Sequence, residues 1–350
     1  MNDTKLTIGI SQGDINGVGP EVILKTLIEP GICEICTPVL FSSQKTVSFY
    51  RKVLGLEEFN FNPIRDFSQI NPKKVNVFVC YEEEVTIEMG KPSPIGGKYA
   101  RISLERATLA LFENHIQALV TAPIDKSTIR SEEFPYTGHT EYLASKLDGE
   151  ALMILCTNTG LRVALVTDHV AIQQVAPLIT VENVSRRINS LYLSLIKDFG
   201  IRKPKIAVLG LNPHAGDNGS IGTEDDEVIR KAVEQSKQDA LIYGPYSADG
   251  FFGSGAYKKF DAILAMYHDQ GLIPFKTLSF SEGVNFTAGL DRIRTSPDHG
   301  TAYEIAGKGL ANEQSFRNAI YMAIDIYRNR KLYSEISANP LPFGTIKKER

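Results

Sequence analysis

Short apolar runs alternate with longer amphipathic stretches along most of the chain. The apolar runs have the length of buried strands, and they predict strands at residues 6–10, 39–41, 75–79, 118–121, 152–156, 163–167, 206–211, 240–243 and 262–265. The amphipathic stretches predict helices at residues 97–113, 181–195, 225–238 and 312–328. Strands that alternate with helices favour an α/β class with mostly parallel pairing.

The stretch at residues 97–113 illustrates how a helix is predicted from the pattern. Its polar side would carry Arg101, Glu105, Arg106 and Glu113. Its apolar side is predicted to be buried and contains Ile102, Leu104, Ala107, Leu109, Leu111 and Phe112.

Composition narrows the class of protein. The 350 residues are 43% hydrophobic and 23% charged, which is ordinary for a globular protein, and the length favours two domains. A formal net charge of −3 gives no electrostatic reason to expect nucleic acid or an anionic membrane as a partner. Residues 1–5 lead directly into a predicted strand without the apolar region of a signal peptide, so we expect a cytoplasmic protein. Four cysteines are too few for a disulfide framework.

Three histidines follow predicted buried strands. His169 comes after residues 163–167, His214 after residues 206–211 and His268 after residues 262–265. Imidazoles at strand ends of one α/β sheet could converge on a divalent ion. The three are spread over about 100 residues and form no local motif, so separate loop or core histidines bonded to the backbone remain the alternative.

Two segments are candidate ligand loops. Residues 13–19 read GDINGVG and lead to a helix start at Pro20 and Glu21, but their spacing is not the dinucleotide fingerprint. This loop could approach a ligand or could simply form a tight turn. Residues 137–141 read TGHTE and precede a helical stretch, where a histidine and a hydroxyl beside free helix amides suit an anion. Thr137 or Thr140 could alternatively do no more than cap that helix.

Three further polar residues follow the third histidine at short intervals. They are Lys276, Asn285 and Arg294. Strand alternation could direct Lys276 and Asn285 inward, where an unpaired lysine would be costly to bury. An anionic substrate would supply the missing partner, and arginine offers a forked grip on phosphate or carboxylate. Surface exposure of Lys276 and Arg294 is the alternative.

Taken together, these motifs resemble the 4-hydroxythreonine-4-phosphate dehydrogenase family, NAD-dependent enzymes of pyridoxal 5′-phosphate (vitamin B6) biosynthesis. The matching segments occur in order at residues 13–14, 137–141, 212–216, 266–271, 294–296 and 298–302, and MYHDQG at 266–271 is the most specific of them. Residues 299–309 also resemble the nucleotide-binding loop of isocitrate and isopropylmalate dehydrogenases, which bind NAD(P) without a Rossmann fingerprint.

The resemblance implies an isocitrate/isopropylmalate dehydrogenase-like fold of the α/β class, with two α/β/α domains and a cleft between them. Residues 1–130 together with 270–350 would form the first domain, which carries the nucleotide loop and part of the substrate site. Residues 131–269 would form the second domain, which carries metal ligands and the dimerisation surface.

The resemblance also implies a role for each candidate residue. His169, His214 and His268 would bind a divalent metal, zinc or alternatively magnesium or cobalt, with ligands drawn from both subunits of a homodimer, so that one chain holds no complete site. Asp249, Asp269 and Lys276 would support catalysis. Contacts to the phosphorylated substrate would come from His139, Thr140, Lys276, Asn285 and Arg294. Contacts to NAD, or alternatively NADP, would come from His299, Gly300, Thr301 and Ala302.

The implied reaction is the oxidation of 4-phosphooxy-L-threonine at C3 to a β-keto acid, which decarboxylates to 3-amino-2-oxopropyl phosphate. A Lewis-acidic metal would ease deprotonation of the C3 hydroxyl, and the nicotinamide would accept the hydride. A hydroxide on the metal, Asp249 and Lys276 all remain candidates for the proton acceptor.

Two other functions remain open. A sister activity would oxidise a four-carbon sugar-acid phosphate, such as threonate or erythronate 4-phosphate, and a more distant one would be a metal-dependent phosphate hydrolase. The loop at residues 13–19 differs from the common GDPAGIG opening of the family, and many relatives carry a histidine near Ser220. Both departures leave substrate selectivity undecided.

Overall fold

A computed structural model describes residues 5–237 and 241–339. Twelve strands of this part form one sheet. They are β1 (Thr7–Ser11), β2 (Thr37–Ser42), β3 (Phe61–Ile64), β4 (Val75–Val79), β5 (Ala118–Thr121), β6 (Gly149–Cys156), β7 (Arg162–Leu165), β8 (Lys205–Leu209), β9 (Leu241–Tyr246), β10 (Ala262–Ala265), β11 (Val284–Leu290) and β12 (Ile293–Pro297). Their order across the sheet is β3-β4-β2-β1-β5-β12-β11-β6-β7-β10-β8-β9.

The helices of the described residues connect these strands. They are α1 (Gly19–Leu27), α2 (Ile32–Ile35), α3 (Gln44–Val53), α4 (Pro94–Phe112), α5 (Lys126–Ile129), α6 (His139–Lys146), α7 (Val175–Leu178), α8 (Val181–Lys197), α9 (Arg230–Ser236), α10 (Ala248–Gly253), α11 (His268–Ser279) and α12 (Gln314–Ser337). Among the described residues, no helix combines the length and the apolar composition that a membrane crossing requires.

The centre of the sheet differs from its two sides in strand direction. Strands β3, β4, β2, β1, β5 and β12 pair in parallel, and so do β7, β10, β8 and β9. Between these two parallel groups, β11 pairs antiparallel with both β12 and β6, and β6 pairs antiparallel with β7. The two parallel groups therefore run in opposite directions and are joined through the antiparallel centre.

Apolar side chains cover both faces of the sheet, as parallel strands require. Leu119 and Val120 are neighbours on β5, yet they belong to different hydrophobic clusters because successive strand residues point to opposite faces. The strands of residues 1–130 and 270–350 fill one side of the sheet order, and those of residues 131–269 fill the other. This distribution is compatible with the two-domain division, which remains a proposal.

The nine predicted strands are all present, with ends that shift by a few residues. Residue 240, the predicted start of one of them, lies outside the described residues, as do residues 1–4. Three strands were not predicted: β3, β11 and β12. Polar residues interrupt their apolar patterns, such as Asn62 and Pro63 in β3, Asn285 in β11 and Arg294 in β12.

The four predicted helices are also present, with two corrections. The stretch from residue 225 begins as a single wide π turn at Asp225–Ile229 before it continues as α9, and residue 238 lies outside the described residues. Lys276, expected on a strand, lies in α11, where it follows an internal Pro274.

Part of the apolar face that was predicted to be buried in helix α4 is exposed in the structure. Ser93 caps the helix by accepting a hydrogen bond from the Gly96 amide, and Pro94 begins it. The buried positions repeat every three or four residues through Ala100, Leu104, Ala107 and Leu111. Leu109 and Phe112 lie off this stripe and are 47% and 60% exposed. A single helix can bury only one such stripe against the sheet.

Candidate active site

A cavity of about 560 Å³ lies against the central strands of the sheet. Its wall includes residues from the ends of β5 and β12, from β6 and β11, and from the starts of α5, α6 and α11. Nine of the predicted site residues line it: His139, Thr140, His169, His268, Lys276, Asn285, Arg294, His299 and Gly300. The five that do not line it are His214, Asp249, Asp269, Thr301 and Ala302.

Arg294 is a buried cation on β12 that borders the cavity. Its side chain is 3% exposed, and its guanidinium donates hydrogen bonds to the hydroxyls of Thr121 and Thr287 at 2.7–3.1 Å. Among the described residues, no carboxylate forms an ion pair with it. Burial lowers the pKa of Arg294 to about 10. A buried guanidinium without a carboxylate is costly, so this arrangement suits an anionic ligand.

Two buried polar atoms among the predicted substrate contacts lack hydrogen-bond partners. They are Nε2 of His139, on the first residue of α6, and Oδ1 of Asn285, on β11. Burial, reinforced by the charges of Arg294 and Lys126, lowers the pKa of His139 well below its ordinary 6.5. A neutral His139 can donate from one ring nitrogen and accept at the other. Unsatisfied buried groups that border a cavity indicate that a ligand supplies their partners.

The start of α6 corrects the predicted helix cap. Gly138, not Thr137 or Thr140, is the N-cap residue, and no side chain caps the helix by a hydrogen bond. Thr137 instead donates from its amide and its hydroxyl to the Glu141 carboxylate at 2.6 Å. The first amides of α6 are thus not covered by a capping side chain, which is the condition that the predicted anion site requires.

The three candidate metal ligands follow three neighbouring parallel strands. His169 comes after β7, His268 after β10 and His214 after β8, and these strands lie in the order β7-β10-β8. All three histidines therefore follow strands that end at the same edge of the sheet. The rings of His169 and His268 lie 5.8 Å apart between centroids.

The third histidine, His214, does not lie at the cavity with His169 and His268 of the same chain. His214 is exposed, does not line the cavity and has a backbone φ of 54°, in the left-handed region that non-glycine residues adopt at a cost. The pKa of Asp249 is lowered, first by a hydrogen bond from the Ser247 hydroxyl and further by the charge of His214. Among the described residues, no three metal-binding side chains form a group that could hold an ion.

His268 has a partner that orients its ring. Its Nδ1 lies 2.7 Å from an Asp269 carboxylate oxygen, which leaves Nε2 available for a ligand. His169 is placed similarly beside Asp168, with Nδ1 3.8 Å from a carboxylate oxygen. Burial lowers the pKa of His169, with a further contribution from the charge of Lys126. Both residues line the cavity, and the lowered pKa of His169 favours a neutral ring there.

The predicted nucleotide loop lies at one side of the cavity. His299 Nε2 is buried without a hydrogen-bond partner, and no atom lies within 4 Å of the point where a Cβ on Gly300 would stand. The Thr301 carbonyl accepts a hydrogen bond from the Val18 amide at 2.9 Å, and Ala302 has a φ of 42°. The loop therefore has open backbone at Gly300 and is attached to the glycine-rich loop 13–19 at Thr301.

A tyrosine in the same loop joins it to two carboxylates. The Tyr303 hydroxyl lies 2.8 Å from an Asp14 oxygen and 3.1 Å from an Asp125 oxygen. Burial raises the pKa of Asp14 and of Tyr303. The segment 13–19, left undecided by its sequence, is thus a structural connection between the nucleotide loop and the segment that begins α5.

Asp298 and Lys126 are among the charged cavity residues that had no assigned role in the sequence interpretation. Oδ1 of Asp298 lies 3.6 Å from Nζ of Lys276. Burial raises the pKa of Asp298, although the charge of Lys276 acts in the opposite direction. Lys126, the first residue of α5, also lines the cavity. In the sequence, Lys126 is marked only by its position five residues after the end of a predicted buried strand. Binding residues of α/β proteins commonly lie beyond the carboxyl ends of strands.

Comparisons with known proteins bear on the family of the chain. A family model described as "Pyridoxal phosphate biosynthetic protein PdxA" matches residues 34–323. The chain is 51% identical over 344 residues to a 4-hydroxythreonine-4-phosphate dehydrogenase of Bacteroides thetaiotaomicron, covering 97% of this chain and 94% of the relative. It is 36% identical over 331 residues to a putative D-threonate 4-phosphate dehydrogenase of Oceanobacillus iheyensis, covering 92% and 98%.

Solved structures confirm the predicted fold class. The crystal structure of 4-hydroxythreonine-4-phosphate dehydrogenase from Klebsiella pneumoniae matches with a TM-score of 0.77 and 32% identity, covering 93% of this chain and 99% of the other. Isocitrate dehydrogenase from Methylococcus capsulatus matches with a TM-score of 0.50 and 13% identity, covering 95% and 89%. The latter likeness concerns the fold alone.

Proposed function

The chain belongs to the PdxA family of pyridoxal phosphate biosynthetic proteins, and from this premise we propose that it is a 4-hydroxythreonine-4-phosphate dehydrogenase. It oxidises C3 of 4-phosphooxy-L-threonine with NAD, and the β-keto acid loses CO₂ to become 3-amino-2-oxopropyl phosphate. The observation that carries this proposal is Arg294, a buried cation without a carboxylate partner among the described residues, which shares one cavity with a histidine pair and with the predicted nucleotide loop.

Arg294 and His139 form the phosphate end of the proposed site. The guanidinium is held by Thr121 and Thr287, so its orientation is set before the ligand binds. A dianionic phosphate would offset the cost of burying this charge, and the unpartnered Nε2 of His139 would gain a hydrogen bond. Binding energy from these contacts, made away from C3, would hold the reacting carbon in position.

His169 and His268 form part of the proposed metal site. Two imidazoles whose rings are 5.8 Å apart, one oriented by Asp269, fit a divalent ion such as zinc. Three protein ligands are usual for catalytic zinc, so a third would have to come from another chain. The exposed His214 is suited to serve a partner subunit of a homodimer in this way. When bound, the ion would supply Lewis acidity toward the C3 oxygen.

His299 and Gly300 form the proposed contact to the nucleotide, with Thr301 and Ala302 continuing the loop. The open backbone at Gly300 and the unpartnered Nε2 of His299 fit a polar ligand at this point. When bound, NAD would supply the hydride acceptor, and NADP remains the alternative. The loop is held to the rest of the protein by the hydrogen bonds of Tyr303 to Asp14 and Asp125.

The proton from the C3 hydroxyl requires an acceptor near the cavity. Of the candidate side chains, Lys276 lines this chain's cavity, whereas Asp249 lies near His214 and would act, like it, toward a partner subunit. Lys276 could pass a proton to Asp298, whose carboxylate lies 3.6 Å away. Asn285, with an unpartnered buried oxygen, could accept a hydrogen bond from the substrate.

A second candidate function is the oxidation of a sugar-acid phosphate. The relative from Oceanobacillus iheyensis, with 36% identity over nearly its whole length, carries the name putative D-threonate 4-phosphate dehydrogenase. Threonate 4-phosphate differs from 4-phosphooxy-L-threonine in having a hydroxyl in place of the amino group at C2. The phosphate end of the cavity would serve both substrates equally.

One panel of assays tests these functions together. The enzyme, with zinc and NAD, is supplied with 4-phosphooxy-L-threonine, threonate 4-phosphate or erythronate 4-phosphate, and both NADH absorbance and free phosphate are measured. We expect NADH only with 4-phosphooxy-L-threonine, or at least a much higher kcat/KM. Preference for a sugar-acid phosphate would establish the second function, and phosphate release without NADH would establish the more distant alternative of a metal-dependent phosphate hydrolase.

A further inference from the structure

Among the described residues that line the cavity, Lys126 is the one lysine or arginine to which the proposed function gives no role. It is the first residue of α5, and its side chain borders the same cavity as Arg294, His139 and His169. Among the described residues, no hydrogen bond or ion pair holds its ammonium group. Lys276, by comparison, already has the carboxylate of Asp298 at 3.6 Å.

Lys126 lines the same cavity as the residues of the proposed phosphate end and metal end. Its Cε lies 3.6 Å from the point where a Cβ on Gly138 would stand, so the aliphatic stem passes beside the start of α6. Lys126 thus shares the cavity with His139, which follows Gly138, and with His169.

The backbone that carries Lys126 is fixed by its neighbour. Asp125 is the N-cap of α5 and accepts hydrogen bonds from the Ser127 amide at 2.8 Å and the Ser127 hydroxyl at 2.6 Å. The other Asp125 oxygen lies 3.1 Å from the Tyr303 hydroxyl. Lys126 is exposed, but the backbone from which its side chain extends is held by both oxygens of Asp125.

We propose that Lys126 binds the substrate carboxylate. This inference rests on the proposed function, because it needs a four-carbon acid phosphate with an anionic group at each end. Arg294 and His139 serve the phosphate, and Lys276 is partly neutralised by Asp298, so Lys126 is the unpaired cation that remains for the second anion. The carboxyl carbon is two bonds from C3, so a cation that binds it must line the same cavity as His169, as Lys126 does. Both candidate substrates carry this carboxylate.

The test compares two ligands that differ only in that group. Binding of 4-phosphooxy-L-threonine and of 1-amino-3-phosphooxypropan-2-ol, which lacks the carboxylate, is measured by calorimetry with the zinc-loaded enzyme in the absence of NAD. Inorganic phosphate serves as a third probe. The variants are K126M, K126R and, as a matched control, K231M on the exposed side of α9 outside the cavity.

We expect K126M to weaken binding of 4-phosphooxy-L-threonine by roughly tenfold or more, as the loss of a charge-assisted contact predicts. Binding of the carboxylate-free analogue and of phosphate should change less than about twofold, K126R should retain part of the affinity, and K231M should match the unmodified chain. Loss of the folded structure is detected separately by urea unfolding, in which K126M should match the unmodified chain.

Two outcomes would overturn the assignment. Equal weakening of all three ligands by K126M would move Lys126 to the phosphate end, and unchanged binding of all three would remove it from the site. Failure of the proposed function would look different, because the unmodified enzyme would then give no NADH with any of the four-carbon acid phosphates.

Discussion

Replacing Arg294 by methionine is expected to abolish most phosphate binding while changing the stability of the free protein little. Burial disfavours the charge of Arg294 and lowers its pKa from the ordinary arginine value to about 10. A shift of this size corresponds to about 3 kcal/mol of unfavourable free energy in the folded state. Methionine is shorter but also unbranched, and it carries no charge, so the variant does not bear this cost.

The R294M variant also loses the hydrogen bonds of Arg294, and this loss opposes the gain in stability. Its guanidinium makes three contacts to two threonine hydroxyls, and each contact stabilises the fold by about 1 kcal/mol. The two contributions nearly cancel, so the free energy of unfolding should change by less than about 2 kcal/mol. Binding loses two charge-assisted hydrogen bonds to phosphate, worth about 3–5 kcal/mol together, which is a decrease of roughly 100-fold or more.

Urea unfolding and calorimetric titration with 4-phosphooxy-L-threonine measure the two quantities separately. Arg330 provides a matched control, because it is also largely buried but lies 2.6 Å from the buried carboxylate of Asp198. R330M leaves that carboxylate without its cation, so it should lose about 3–5 kcal/mol of stability and retain its ligand affinity. The reasoning is refuted if R294M is as destabilised as R330M or binds the substrate normally.

The remaining predictions concern the metal, the pH dependence and the nucleotide loop. H214A should lower the zinc content measured by mass spectrometry and reduce turnover, and unchanged zinc would exclude His214 as a ligand. Because the native pKa of His139 lies below 6.5, the unfolded chain takes up more protons on acidification, so stability should decline as the pH falls below about 6.5. H139Q should reduce that decline in urea titrations at pH 5.5 and 7.5, and an unchanged slope would contradict the assignment. Y303F removes the hydroxyl shared by Asp14 and Asp125, so it should cost about 1–3 kcal/mol and weaken NAD binding more than phosphate binding. Equal stability of Y303F and the unmodified chain would count against this connection.

Much of the candidate site was predictable because its residues lie next to recognisable local patterns. His169, His214 and His268 each follow an apolar run, and an apolar run of that length predicts a buried strand from its own composition. That three such strands are neighbours, in the order β7-β10-β8, was not predictable from spacing. Their roles as metal ligands come from family resemblance and remain a prediction.

The sequence by itself determined the α/β class, nine of the twelve strands in the described part and the chemical nature of the candidate residues. Each of these depends on hydrophobic periodicity over a few residues, which is a local property. Only the tertiary structure decided that β11 and β12 join the two halves of the sheet, that Arg294 is buried without a carboxylate, and that Lys126 borders the cavity unpaired. Whether a charge is buried and what it contacts depends on residues far away in the chain. Arg294, for example, is held by Thr121, which precedes it by 173 positions.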